Sequence, residues 1–300
     1  MPLIVTGSIG IDSIETPSGS AQNVLGGSSI YFGAAASFFG PVRLVGAVGD
    51  DFPDAFLEQF HRFDIDLAGL EKRSGSKTFR WHGRYHQNMN DRDTVAVELN
   101  VLAEDLPPVP AGYRDSEYIF LANTHPAGQM ELLDSFPNRK LAVADTMDLW
   151  IENEREALMD LLRKIDGLVL NDSEAFLLTG KSNIVQAAEA IIAMGPKFVV
   201  IKKGEHGAFL LHEEGMSALP AYAARDVVDP TGAGDSFAGG FMGYLAAEGD
   251  HSLKSLRRAM AYGTIVASYN IESFSLERLT QIGREDIDQR LLEYGRMLNV

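Results

Sequence analysis

Apolar residues along the chain gather into short continuous runs separated by longer segments with a helical rhythm. The runs are LIVTG at 3–7, RLVGAVG at 43–49, YIFLAN at 118–123, KLAVAD at 140–145, GLVLN at 167–171 and KFVVIKKG at 197–204. Runs without polar alternation suit strands buried on both faces, as in a parallel sheet. Between them, residues 28–40, 54–63, 152–165, 182–195 and 235–249 have the apolar spacing of helices. Alternating strand and helix predicts an α/β fold, a doubly wound and mostly parallel sheet flanked by helices.

One stretch breaks the rhythm. Residues 77–102 alternate aromatic or β-branched residues with polar ones and hold no convincing helix, which predicts antiparallel strands. Residues 12–24 look similarly extended and polar. The two segments together could form a small β-sheet lid inserted into an otherwise single domain spanning 1–300. No repeat or low-complexity segment divides the chain further.

Composition narrows the chemistry. There is no cysteine, which excludes disulfides, thiolate metal sites and a thiol nucleophile. Twenty-six basic against 42 acidic residues give a net charge of −16, the wrong sign for a protein that grips nucleic acid through many phosphates. Acidity overall does not forbid a locally positive pocket for a phosphorylated small molecule. The N-terminus lacks a basic n-region with a long apolar core. No stretch approaches the roughly 18 uninterrupted apolar residues of a membrane span. A cytoplasmic protein with no nucleic-acid or membrane partner is expected.

The segment from Arg225 to Phe241, RDVVDPTGAGDSFAGGF, carries the most chemical information. Gly232, Ala233 and Gly234 permit a tight backbone whose N–H groups converge at the start of a helix, a ready anion site. Asp235 in the first turn of that helix would sit beside the anion, where it could take a proton from a nucleophile attacking phosphorus. Its plainer role is an ordinary helix-start acid. Asn171 and Glu174 follow a buried run and should emerge at the C-terminal end of a strand, where open α/β sheets bind ligands. An amide and a carboxylate acting through waters suit a hydrated Mg²⁺, though Asn171 capping the helix with Glu174 in its first turn explains the same spacing. Lys202 and Lys203 close a strand before a Gly-containing turn. Lys203, Gly204 and Gly207, together with Asn171, are assigned to the nucleotide, and Lys202 is read as a solvated strand end. Two rival nucleotide motifs fail. Thr179-Gly180-Lys181-Ser182 has Ala175 where a P-loop needs glycine, and no G-x-G-x-x-G spacing exists near the N-terminus.

Taken together these residues carry a resemblance. Asp229 to Phe237, DPTGAGDSF, is similar to the C-terminal signature of the ribokinase-like (PfkB) carbohydrate and nucleoside kinases. The resemblance spans nearly the whole chain. Gly7 to Asp12 resembles that family's first strand and its substrate-contacting aspartate, and Gly26-Gly27 resembles its hinge. Asn171-Asp172-Ser173-Glu174 resembles its Asn-x-x-Glu, and Lys203 to Gly207 its nucleotide-contacting turn. The resemblance implies a ribokinase-like fold and an ATP-dependent, Mg²⁺-requiring kinase. In it Asp235 would act as base, with Gly232, Ala233 and Gly234 as the anion hole. Asp12, Gly26, Gly27 and Tyr31 would line the acceptor pocket, and Asn171 and Glu174 would lie near Mg²⁺. Asp229 and Thr231 would lie beside a monovalent cation such as K⁺.

Two positions depart from the sugar-kinase pattern, Tyr31 and Gly10, where amides usually stand. A tyrosine could stack on a base or sugar face, and glycine would leave room for a larger substrate. The lid adds Phe79, Trp81, Tyr85 and His86, aromatic and polar rather than basic. The expected acceptor is therefore the 5′ hydroxymethyl group of a nucleoside. A free sugar is the alternative, and a non-catalytic nucleoside or nucleotide sensor is the alternative of another class. A homodimer through the lid is the expected protein partnership.

Overall fold

The computed structural model describes residues 1–298. In chain order the strands are β1 (Leu3–Thr6), β2 (Gly10–Thr16), β3 (Gly19–Gly26), β4 (Val42–Gly49), β5 (Ile65–Arg73), β6 (Phe79–Tyr85) and β7 (Arg92–Glu98). They continue with β8 (Tyr118–Leu121), β9 (Leu141–Asp145), β10 (Gly167–Asn171), β11 (Phe198–Lys202), β12 (Ala208–His212) and β13 (Gly215–Leu219). Nine of them form the main sheet in the order β13-β12-β11-β10-β9-β8-β1-β4-β5. All neighbours are parallel except the β11-β12-β13 meander at one edge.

The sheet separates two apolar cores. Leu141, Val143, Val169, Phe198 and Val200 face the helices Ser28–Ser37, Ala233–Glu248 and Leu253–Asn270. Ala142, Ala144, Leu168, Leu170, Val199 and Ile201 face those at 126–133, 155–162, 172–179 and 184–194. Alternate residues of one strand thus serve opposite cores, which is why these runs show no polar alternation. The helix Ala233–Glu248 is buried almost all round and glycine-rich because it lies close to a neighbour. A Cβ on Gly239 would lie 2.3 Å from the Phe32 carbonyl oxygen.

Two expectations shift. The helix expected over 152–165 breaks at Glu154, whose φ of −126° and ψ of 35° divide Asp148–Asn153 from Arg155–Leu162. The helix expected from 235 begins at Ala233, with Gly232 as its N-cap at φ 72°.

The second sheet has the order β3-β2-β6-β7 and combines the two segments expected to form a lid. β2 pairs antiparallel with β3 and parallel with β6, and β6 pairs antiparallel with β7. It is closed against the main body by specific bonds. Thr16 Oγ1 donates to the Val228 carbonyl at 2.9 Å, Ser18 Oγ to Val227 at 3.1 Å, and Ser275 Oγ to Leu25 at 2.5 Å. On the far side the Thr231 hydroxyl donates to the Tyr85 hydroxyl at 3.2 Å, and Asn90 Nδ2 lies 3.5 Å from Glu205 Oε1. Among the described residues no helix is long and apolar enough to cross a membrane.

Candidate active site

Three parallel strands deliver polar side chains to one place. On β9, Asp145 continues the face of Leu141 and Val143, and on β10, Asn171 continues that of Val169. On β11, Lys202 continues that of Phe198 and Val200. That face lies against the helix Ala233–Glu248, whose first turn carries Asp235. The C-terminal strand ends and the helix N-terminus therefore meet at a single point, as ligand sites of open α/β sheets do.

Lys202 is central to that meeting and corrects its reading as a solvated strand end. Its Nζ lies where a side chain on Gly234 would go, since a Cβ there would approach it to 2.7 Å. Burial raises the carboxyl of Asp235 to about 6, against the opposing charges of Lys202 and Arg92. Asp145 is buried, and its carboxyl is pushed well above the ordinary range by burial and by Asp235, with Lys202 acting against both. Its Oδ1 has no partner. Glu174 is raised by burial, again opposed by Lys202.

Asn171 and Glu174 take the capping role that their spacing suggested. Asn171 Oδ1 accepts from the Glu174 N–H at 2.7 Å, and Glu174 Oε2 accepts from the Asn171 N–H at 2.7 Å, a reciprocal capping box. The other carboxylate oxygen of Glu174 remains free for the cluster with Asp145, Asp235 and Lys202. No group of three residues among those described could ligate a metal directly. A hydrated divalent ion carried in on phosphates, held through waters by Glu174 and the orphaned Asp145 Oδ1, fits this donor set.

Gly232 must be glycine. Its φ is 72°, and a Cβ on it would lie 2.2 Å from the ring of Tyr31. The same contact corrects the reading of Tyr31 as a stacking platform. Its ring is 1% exposed and packed beneath the loop at Gly232, with its hydroxyl buried and without a partner. Gly10 is corrected likewise. The space it frees is filled by Phe79, whose Cδ1 would lie 2.8 Å from a Cβ there, so the room goes to the closed lid.

Asp12 is 3% exposed, and its Oδ1 has no partner. Its carboxyl is raised to about 8, first by burial and then by the charges of Asp229 and Asp235. Gly26 exists to admit it, since a Cβ on Gly26 would lie 1.8 Å from Asp12 Oδ2. Gly27, at φ 104°, is the N-cap of the helix Ser28–Ser37, where a Cβ would meet the Ser8 carbonyl oxygen at 2.5 Å.

Asp229 is fully buried, and its oxygens accept the N–H groups of Thr231 at 2.9 Å and Ser275 at 3.3 Å. It forms no ion pair among the described residues. Lys203, Gly204 and Gly207 form the turn after β11, closed by the Gly207 N–H on the Gly204 carbonyl at 3.1 Å. Gly204 and Lys203 lie at the rim, and Asn90 of the lid reaches to Gly204. His82 and His86 are engaged within the lid by Glu15 and Asp93.

The Asp235 carboxyl, the glycine-rich start of its helix, the Lys202 ammonium and the capping Glu174 thus converge under a closed lid. The description "pfkB family carbohydrate kinase" matches residues 15–278. The chain belongs to that family. It is a phosphotransferase acting on a hydroxyl group, and its fold is ribokinase-like. A cytidine kinase of Thermococcus kodakarensis is 29% identical over 248 residues, covering 81% of this chain and 87% of that one. An aminoimidazole riboside kinase of Salmonella typhimurium is 25% identical over 299 residues, covering 88% of each. Among solved structures, a nucleoside kinase of Methanocaldococcus jannaschii superposes with a TM-score of 0.78 at 19% identity. It covers 98% of this chain and 99% of its own. That likeness concerns the fold.

Sequence reasoning misread Lys202 and passed over Asp145 and Arg92, whose charges act at Asp235 and Glu174. The first two were open to a rule already applied to Asn171. Each ends a buried run on the face that carries Val200 or Val143. Arg92 had no such signal, because only the pairing of β7 with β6 decides which way it points.

Proposed function

We propose that this kinase transfers the γ-phosphoryl group of ATP to the 5′ hydroxymethyl group of a nucleoside. The observation that carries the chemistry is Asp235, a partly buried carboxyl raised to about 6 in the first turn of the helix that begins at Gly232. The acceptor oxygen attacks the γ-phosphorus as the bond to the bridging oxygen breaks. The acceptor proton goes to Asp235, and ADP leaves with the electron pair. The N–H groups of Gly232, Ala233 and Gly234 stabilise charge on the transferred group, and Lys202 adds a cation beside them. Mg²⁺, held near Glu174, Asn171 and Asp145, would neutralise phosphate charge when bound. Asp12 would accept hydrogen bonds from acceptor hydroxyls over Gly26 and Gly27, and Lys203, Gly204 and Gly207 would border the nucleotide. A K⁺ ion near Asp229 and Thr231 would offset a buried carboxylate that has no ion pair among the described residues.

The nucleoside reading draws support from the cytidine and aminoimidazole riboside kinases among the relatives and from the aromatic face of the lid. A free sugar remains the rival because the family description is of carbohydrate kinases. A sensor without turnover would need neither Asp235 nor Lys202. The reading implies an ATP-containing compartment, the cytoplasm. It treats residues 1–300 as one domain with an inserted lid. Lid pairing between two copies is supported by β7, an unpaired edge strand that exposes Val95 and Val97, with Leu99 beyond it. Light scattering of wild type and Val97→Lys, with a dimer only in the former, would support that pairing, and a wild-type monomer would refute it.

The acceptor test is an ADP-release assay with ATP and Mg²⁺ on ribonucleoside and free-sugar panels, in K⁺ and in tetramethylammonium. Turnover confined to nucleosides is the expected result. Turnover on sugars alone would overturn the acceptor assignment. Equal rates in the two cations would overturn the K⁺ site.

A further inference from the structure

The helix Leu253–Asn270 ends beside the loop that carries Asp235, and its last residue is a buried asparagine. Asn270 Nδ2 donates to the Thr231 carbonyl at 2.8 Å, and its Oδ1 accepts from the Ser236 hydroxyl at 3.2 Å. One side chain thus bonds the residue before Gly232 and the residue after Asp235. A carbonyl can only accept, so the NH₂ group must face Thr231, which leaves the amide oxygen for Ser236. Ser236 is buried as well, so water does not stand in for either bond. The short side chain reaches because the two helices touch at a glycine, where a Cβ on Gly263 would lie 2.6 Å from the Phe237 carbonyl oxygen. The helix end is itself pinned. Glu272 pairs with Arg278 and Arg290, each at 2.8 Å, and the Ile271 carbonyl accepts the N–H groups of Val228 at 2.8 Å and Asp229 at 3.3 Å.

We propose that Asn270 is a positioning residue for phosphoryl transfer, its buried amide clamping both ends of the 232–235 loop so that the Gly232 N–H and the Asp235 carboxyl are aimed together. The Thr231–Gly232 peptide is trans, so its C=O and N–H point in opposite directions within one plane. A donor that holds the carbonyl on the side of the helix Leu253–Asn270 therefore turns the Gly232 N–H away from that helix. That N–H bonds no other described residue and is free for the transferred group. Rotating this peptide changes φ of Gly232, and glycine resists such rotation least of all residues. The Thr231 N–H is held by Asp229 and its hydroxyl by Tyr85 of the lid, whereas its carbonyl has Asn270 alone. At the other end Ser236 directly follows Asp235, in a first turn whose N–H groups lack intrahelical partners to stiffen it. Its hydroxyl bond to Asn270 limits how far that turn can swing. Asn270 touches neither reactant and acts through the loop that does.

This role rests on the kinase reading, and the test separates the two. Asn270→Leu removes donor and acceptor at similar volume, and Ser236→Ala removes one arm alone. Rates are taken with an acceptor that wild type phosphorylates, at a temperature where melting curves show each variant folded. Asn270→Leu is expected to lower kcat by about 10–10²-fold, less than outright loss of an oxyanion donor because the N–H stays but is misaimed. KM for ATP and for the acceptor should stay within about threefold of wild type. Ser236→Ala should lower kcat by about threefold or more, and the double variant should match Asn270→Leu within about twofold, because Ser236 acts through the amide. By calorimetry, Asn270→Leu should bind ADP with Mg²⁺, aluminium fluoride and acceptor at least about tenfold more weakly, with ATP affinity within about threefold of wild type. A brace that serves stability alone would lower the melting temperature of Asn270→Leu and leave kcat per folded molecule unchanged, and that result would overturn the proposal. So would losses of the two single variants that multiply in the double variant, or a rise in both KM values at unchanged kcat. Should Asn270→Leu not fold, Ser236→Ala decides, and an unchanged kcat there overturns the proposal. An inactive wild type would instead overturn the kinase reading.

Discussion

If Asp235 takes the proton of the acceptor, its ionisation should govern the acid limb of the reaction. Burial holds its carboxyl at about 6, with Lys202 and Arg92 pulling it down. At pH 5 a group with that pKa is ionised in about one molecule in ten, whereas an ordinary aspartate would be more than about nine-tenths ionised. The account therefore predicts that kcat/KM falls about tenfold from its plateau as pH drops to 5. Removing the group altogether by Asp235→Asn should cost at least about 10²-fold at pH 7.5, close to 3 kcal/mol of barrier. Lys202→Met, which deletes the nearest opposing cation, should move the acid limb upward. The assay is the initial rate of ADP formation at subsaturating acceptor from pH 4.5 to 8.5 at fixed ionic strength, with unfolding checked at each pH. A flat profile between pH 5 and 8, or more than about a tenth of wild-type activity in Asp235→Asn, would refute the assignment.

Three further outcomes follow from the same geometry. Glu174→Gln keeps a residue able to complete the capping box, so melting temperature should hold, while the Mg²⁺ concentration for half-maximal rate rises about tenfold; a matching loss of stability would reduce Glu174 to a cap. Gly232→Ala places a side chain at φ 72° and against the Tyr31 ring, so a stability loss of at least about 1–2 kcal/mol in urea melts should accompany loss of turnover, and a neutral substitution would contradict the packing described. Asp12 binds its proton more tightly folded than unfolded, so its contribution to stability declines as pH rises from about 4 to about 8. Ligand-free Asp12→Asn should therefore gain stability relative to wild type across that range, and a pH-independent difference would contradict the burial argument.

Six strands of the main sheet, between Leu3 and Lys202, were legible because they are largely buried on both faces and read as apolar runs, whereas β5, β12 and β13 at its edges are partly exposed and carry no such run. The lid was legible for the opposite reason, as 77–102 alternates in sequence where its strands are largely open to water. The start of the glycine-rich helix was off by two residues because Ala233 and Gly234 suit a loop and a first helical turn alike. Tyr31 was misread because its helix packs directly under the loop at Gly232, a contact between residues two hundred positions apart. Lys202 and Lys203 could not be ranked without the side each faces, although the alternation from Phe198 through Val200 contained that information. Arg92 depended on strand register, with a bulge between His82 and Gly83 that shifts the pairing, and no local pattern reports register.

The central claim is transfer of a phosphoryl group to a hydroxymethyl oxygen with Asp235 as base, and phosphorus NMR of the reaction tests it directly. ATP, Mg²⁺ and the best acceptor from the panels are incubated with wild type and with Asp235→Asn. The account predicts that the γ-phosphate signal gives way to a phosphomonoester split by the two protons of an adjacent methylene group, in wild type alone. Release of inorganic phosphate without such an ester, or an ester formed equally fast by Asp235→Asn, would contradict it.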